Sequence, residues 1–409
     1  MAFHRFSCSA ALLAALLPST GAQARGYAPQ GTCGDYARLD IASPAGTCVA
    51  LVADETEGLR MPRRILEVAP GRYWIVDMGS WEPHRGRLLE MVLPAEGPAP
   101  RRARIATLVE KLDRPLGLAI GPDGKAYVAE AGRIWRTPVP AAGNALQQEV
   151  VIDKLPDDGA HPLKEIVFGP GGTLYVSVGS SSDGCRDDQQ RQPVPCPDLA
   201  GAKPRAAVYE AVLGGPAWTL QSFKPFATGL RNSAALAVLT EGPARGTLLQ
   251  GENSIDYPQA DQPAEELNRL QAGKHYGWPY CVADRQPARG YEKRYDCAAS
   301  TPPKMLWPAH AAPLQMLTSP AGSPFAGQLL VAWHGYKPGG HRVVGYTPGA
   351  DGMPTGKPVE WLSGWDARPG VRPLGKPTGL TVDRQGRLLV VEDLNRTVLM
   401  LLPTAPPKK

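Results

Sequence analysis

One pattern recurs along this chain and limits what it can fold into. Two or three apolar residues lead to a turn of proline, aspartate or glycine, and an alternating apolar strand follows that ends in a polar residue. The copies run Ile65 to Asp77, Leu116 to Glu130, His161 to Gly179, Ala234 to Glu252, Leu317 to His334 and Pro377 to Asp393. Glycine supplies positive φ and proline or aspartate favours the turn, so each copy reads as a β-hairpin. A hairpin cannot bury both faces alone, and radial stacking of such units leaves only short, protected edges. Spacings of roughly 50 to 80 residues suit a four-stranded blade with variable loops. No stretch shows a sustained 3.6-residue apolar period. The pattern predicts an all-β fold, a six-bladed β-propeller occupying residues 25–409 as one domain. A β-sandwich or a pair of them is the competing architecture. The spread of the copies along the chain favours the propeller.

In a propeller, strand ends that share one direction open on one rim of the channel. Here those ends carry Asp77, Glu130, Ser180, Glu252-Asn253, His334 and Asp393, and the long loops 180–205, 252–280 and 334–342 leave the same rim. Long loops on a rigid scaffold are the usual place for a site.

The N-terminus reads as a signal peptide over residues 1–24. Arg5 gives a positive start, Cys8 to Leu17 form an apolar run, and Ala22-Gln23-Ala24 fits a cleavage site. The run is shorter than the about 20 residues that span a bilayer, and no later stretch is long enough. The expectation is a soluble protein, periplasmic or secreted, with residues 25–60 as a disulfide-containing lead-in. Setting Cys8 aside, the remaining cysteines of the seven fall in neighbouring couples: Cys33/Cys48, Cys185/Cys196 and Cys281/Cys297. Other pairings are open to six cysteines, but each couple brackets a polar loop and none has zinc-ligand spacing, so local disulfides are expected. No Cys-x-x-Cys-His haem site is present, so electrons from any redox reaction pass to a separate acceptor. The net charge of +5 is spread along the chain without a basic helix, which argues against nucleic acid as a partner.

Several residue groups could carry chemistry. His161 opens the third copy after the polar run Asp157-Asp158-Gly159, where it reads either as a structural histidine or as a general base. His334 stands at another rim strand end, and His310 reads as support for a loop. Arg231-Asn232 offers a fixed fork of donors to an anionic oxygen, although a loop salt bridge explains it equally well. The acids Asp256, Asp261, Glu265 and Glu266 read as a solvated acidic stretch, with a structural calcium loop as the alternative.

Taken together, Phe226-Ala227-Thr228-Gly229-Leu230-Arg231-Asn232, Glu265-Glu266-Leu267-Asn268, His275-Tyr276-Gly277-Trp278-Pro279-Tyr280-Cys281 and the upstream His161-Pro162-Leu163-Lys164 resemble the soluble quinoprotein sugar dehydrogenases. Tyr175-Val176-Ser177-Val178-Gly179-Ser180-Ser181 is especially similar to their sorbosone branch, and the resemblance covers roughly residues 105–400. It implies a six-bladed propeller that holds pyrroloquinoline quinone (PQQ) with calcium and oxidises a small-molecule sugar. His161 is then the base that takes the anomeric hydroxyl proton, and Arg231 reaches the reactive carbonyl oxygen. Asn232, Lys337 and Lys376 are implied to hold the cofactor, and the backbone carbonyls at Gly251 and Glu252 its calcium. The chain departs from the glucose-oxidising members in having Lys376-Pro377-Thr378 for their Arg-x-Arg and Ala160 for an acid. Met61-Pro62-Arg63-Arg64 replaces an Arg-Pro-x-Gly opening that survives as Arg114-Pro115-Leu116-Gly117. Two other functions fit such a propeller: a calcium-dependent lactonase using Asp77, Glu130, Asn253 and Asp393, and a non-catalytic binder of a glycan or partner protein.

Overall fold

The computed structural model describes residues 29–141, 146–187, 189–335, 337–365 and 375–404, so the expected leader over 1–24 lies outside them. Each of the six sequence copies forms the first two strands of a blade. The inner strands are Pro62–Ala69, Leu118–Ile120, Ile166–Phe168, Ala235–Val238, Pro313–Thr318 and Pro377–Val382. Each packs against the next and the last against the first, which closes a six-bladed β-propeller. Among the described residues no helix is long and apolar enough to cross a membrane.

Closure is made by hydrogen bonds between the two ends of the chain. Blade 6 takes its outer strand from Thr47–Ala53, which pairs antiparallel with Thr397–Pro403, Ala50 lying opposite Met400. Tyr36–Leu39 and Thr32–Cys33 extend that sheet, and the Cys33–Cys48 disulfide ties them to it. The lead-in is thus part of the ring. Apolar side chains from both partners, including Val52, Val398 and Met400, pack with Tyr73 and Ile75 of blade 1 to fill the joint between the first and last blades. All three expected disulfides are formed. Cys185–Cys196 and Cys281–Cys297 secure a small lobe above blades 3 and 4, where Tyr280 stacks on Tyr295 with ring centroids 4.3 Å apart.

The inner strands share a device that the linear pattern conceals. Met61-Pro62-Arg63-Arg64, Ala312-Pro313-Leu314-Gln315 and Lys376-Pro377-Thr378-Gly379 each contain a β-bulge at the third residue. A bulge re-aims the local backbone, and here it turns three carbonyls toward the axis. Arg64 occupies that axis, fully buried. Its guanidinium donates to the carbonyls of Arg63 (2.7 Å), Thr378 (2.6 Å), Ala234 (2.9 Å) and Leu314 (2.6 Å) and to the buried carboxylate of Glu165 (2.8 Å from Nε). One side chain therefore ties blades 1, 3, 4, 5 and 6 together. Gly379 and Gly117, at the matching positions of blades 6 and 2, let neighbouring inner strands approach closely around it. A Cβ on Gly379 would lie 2.6 Å from the Arg63 carbonyl, and one on Gly117 would lie 2.9 Å from that of Lys164.

Candidate active site

The polar residues that end the second strands do two different jobs. Asp77 accepts from the amides of Arg60 and Met61 (both 2.9 Å), Glu130 from Asp113 (2.6 Å), Glu252 from Arg231 (2.6 Å) and Glu392 from Lys376 (3.3 Å). In four blades an acid thus ties the chain entering the inner strand to the end of the second strand. Asp77 and Glu130 are buried in this role, further held by Arg87 and Trp135, and do not line the cavity. They are structural anchors rather than the rim oxygens a lactonase reading needs. Asn253, His334 and Asp393 do face the cavity, and Ser180 stands one layer behind it.

That cavity, of about 860 Å³, is within the range of small-molecule sites. Its floor repeats the register of the inner strands. Met61, His161, Asn232, Ala312 and Lys376 are the residues that lead into those strands, and all line it. Arg63, Leu163, Ala234 and Leu314, two residues further on, complete the floor. His161, Asn232 and Lys376 are therefore equivalent positions of blades 3, 4 and 6. Arg63 went unrecognised in the sequence, although superimposing the copies on their prolines would have marked it.

His161 is held in one tautomer. Its Nδ1 lies 3.1 Å from the Ser180 carbonyl and 2.9 Å from the Ser180 hydroxyl, whose own proton goes to the Ser182 carbonyl at 2.7 Å. Both neighbours can only accept, so Nδ1 carries the proton and Nε2 the lone pair. Burial, with the positive charge of Arg231 nearby, lowers the imidazole pKa to about 3. The ring is therefore neutral across the physiological range. Gly179 gives it room: a Cβ there would lie 2.5 Å from the His161 Cβ and 2.6 Å from its carbonyl oxygen. Gly179→Ala is expected to leave the propeller folded but displace the imidazole, with a loss of about 10²-fold in turnover. Matching circular dichroism with a large drop in kcat is the signature to measure.

Arg231 is placed by two sequence-distant segments. Gly229 has φ +73°, and a Cβ there would lie 2.6 Å from the His275 ring. Tyr276 donates its amide to Thr228 O (2.9 Å) and Trp278 to Gly229 O (3.1 Å). The motifs at 226–232 and 275–281 are thus one unit. The buried guanidinium donates from Nε to Asp183 (2.9 Å), from Nη1 to the Asn253 carbonyl (2.9 Å) and from Nη2 to Asp256 (2.7 Å). Trp278 fixes the clamp by donating from its indole to the Asp183 carbonyl at 2.8 Å.

Across the cavity, His334 Nε2 lies 3.1 Å from Asp393, which also pairs with Arg63 at 2.6 Å. His310 lines the cavity while its Nε2 meets the Gln259 carbonyl at 2.6 Å, so it does support a loop. One expectation needs correction. Glu265 and Glu266 are not solvated: both are buried in the strand Glu265–Arg269, and Glu265 is pushed up to about 8 by burial. Lys337 is half-buried in the loop after blade 5's second strand and does not line the cavity. Gly251 and Glu252 belong to the strand Leu248–Glu252 and do not line it either. The Glu252 carboxylate is spent on Arg231 N and the Gln250 side chain, and burial raises its pKa to about 7. Among the described residues no group of three or more His, Cys, Asp or Glu side chains could hold a metal ion.

These features define a six-bladed propeller with a polar cavity at one mouth of its channel. Residues 124–333 match the family model described as Glucose / Sorbosone dehydrogenase, and the chain belongs to that family of oxidoreductases. No curated protein matches the chain. Among solved structures it is similar to a family AA12 carbohydrate-active enzyme of Trichoderma reesei in an iodide structure, at 20% identity, over 89% of this chain and 98% of that one, TM-score 0.70. The holo PQQ domain of pyranose dehydrogenase from Coprinopsis cinerea matches at 20% identity, over 91% and 98%, TM-score 0.66. The PQQ-bound aldose sugar dehydrogenase of Streptomyces coelicolor matches at 18% identity, over 88% and 99%, TM-score 0.57.

Proposed function

We propose that this protein is an exported, PQQ- and calcium-dependent aldose dehydrogenase that passes its electrons to a separate acceptor. The observation that carries the reading is a neutral histidine with a free Nε2 lone pair on the floor of the family's cavity, beside a clamped arginine. The PQQ named for two of the similar structures supports the cofactor. The cavity also suits an anion with three carboxylates. Arg63 and Lys376 line one side, and Arg63 Nε is a buried donor without a hydrogen-bond partner among the described residues. These two residues, with Asn232, would hold the group.

Calcium at Gly251 and Glu252 would be held by backbone carbonyls, since neither residue presents a side-chain ligand to the cavity. The calcium structure of the Trichoderma enzyme supports calcium as the ion. The disulfides suit an oxidising compartment, which supports a periplasmic or secreted location.

When bound, PQQ supplies a two-electron acceptor for the hydride of the sugar's anomeric carbon. His161 Nε2 takes the proton of the anomeric hydroxyl, while Ser180 fixes the ring's orientation and tautomer. Arg231 contributes a preorganised positive charge where negative charge develops on oxygen.

Titration of the purified mature chain with PQQ and excess calcium, followed by a dye-coupled assay over aldoses, tests the reading. Stoichiometric binding with sugar-dependent dye reduction is expected; no PQQ binding under these conditions would sink it. Lys376→Ala is expected to weaken PQQ binding by roughly tenfold or more, the loss of a charge-assisted hydrogen bond. The same titration reads it out.

A further inference from the structure

We propose that Trp81 is the platform on which the sugar ring stacks, a positioning residue at the mouth of the cavity. The inference rests on the dehydrogenase reading and adds a residue that orients its sugar. Isolated exposed apolar side chains need no explanation, but Trp81 is no isolated case. It is the most exposed large hydrophobic residue among those described, at 55%, and it lines the cavity. Leu394, 37% exposed, is the other large exposed apolar side chain that does so.

The loop that carries Trp81 is built to hold it there. Asp77, buried at the end of its strand, accepts from the Gly79 amide at 2.9 Å, and Ser80 donates its amide to Met78 O at 2.8 Å. Gly79 has φ +73°, and a Cβ on it would lie 2.1 Å from the Arg85 carbonyl, so the loop closes tightly on itself. The indole is therefore presented from an anchored base. It belongs to blade 1, on the wall across from Arg231 and Asn232 of blade 4.

A pyranose has apolar C–H faces and a hydroxyl-bearing edge. An indole covers a C–H face with a rigid surface at low entropy cost, leaving the edge to polar groups. Arg60 and Ser80 flank Trp81 in the lining, and the polar floor with His161 faces the reacting end. A three-carbon aldehyde has no ring face to offer this surface.

Kinetics on the full mature chain loaded with PQQ and calcium test the proposal, with D-glucose and maltose as probes. Trp81→Ala is expected to raise KM for both by roughly tenfold or more, with Trp81→Phe between it and the wild type. Leu306→Ala, an exposed apolar change on the outer strand of blade 4, serves as the neutral control. A KM for both sugars within about twofold of wild type in Trp81→Ala would overturn the platform and leave the dehydrogenase reading intact. If the wild type oxidises no sugar, that reading fails and intrinsic fluorescence of the protein decides the platform alone. A saturable sugar-dependent change lost in Trp81→Phe supports it, and no saturable change overturns it.

Discussion

If His161 is the proposed base, replacing it with glutamine is expected to lower sugar-dependent dye reduction by about 10² to 10⁴, the range for loss of a positioned base. PQQ binding and the melting temperature are expected to stay near wild type, because the ring's hydrogen bonds among the described residues go to Ser180. Full activity in this variant would remove the histidine from the mechanism. The pH behaviour gives a second check. With a folded pKa of about 3, the base is deprotonated throughout the working range, so it causes no fall in rate between about pH 5 and 8. The stability consequence runs the other way. An unfolded histidine takes up its proton near pH 6.5 while the folded one resists until about 3, so acidification binds protons to the unfolded state first. Stability from this group is complete above pH 6.5 and declines as pH falls toward 3. The glutamine variant is expected to show a shallower decline in urea unfolding over that interval.

Replacing Arg64 with methionine is expected to cost about 3–5 kcal/mol of stability, the loss seen when one partner of a buried ion pair is removed. Glu165 would be left buried without its counter-charge, and the carbonyls of Thr378, Ala234 and Leu314 would each lose a donor. Desolvation already raises the Glu165 pKa with Arg64 present, and removing the arginine would raise it further. Arg64→Lys keeps the charge but not the fork, and should fall between the two. A double change of Arg64 and Glu165 to apolar residues should recover part of the loss. Urea unfolding of the four proteins checks the order; an unchanged midpoint in Arg64→Met would mean that the axis needs no plug.

Neither expected effect was equally legible in the primary structure. His161 could be singled out because it sits within contiguous motif residues that resemble a known family. Arg64 was visible only as a departure from an Arg-Pro-x-Gly opening, and its role depends on carbonyls more than 160 positions away in the chain, as with Ala234 and Leu314. The acids show the same divide. Asp77, Glu130 and Glu252 were correctly placed at strand ends, yet whether such an end faces the cavity or caps a neighbouring turn depends on how the loops fold back. Glu265 and Glu266 looked soluble by residue type and are buried because their strand lies inside blade 4.

What the chain's order of residues determined alone was everything governed by short-range chemistry. Glycine, proline and aspartate at the turns set six hairpins, neighbouring cysteines paired locally, and the alternation of the strands required stacking into blades. Only the tertiary structure decided which side chains converge. Closing the ring brings the lead-in of five inner strands to one floor and aims three bulged carbonyls at one guanidinium. It also leaves Trp81 facing the cavity from an anchored loop. Such meetings depend on the spacing and rotation of whole blades, and no local pattern encodes them.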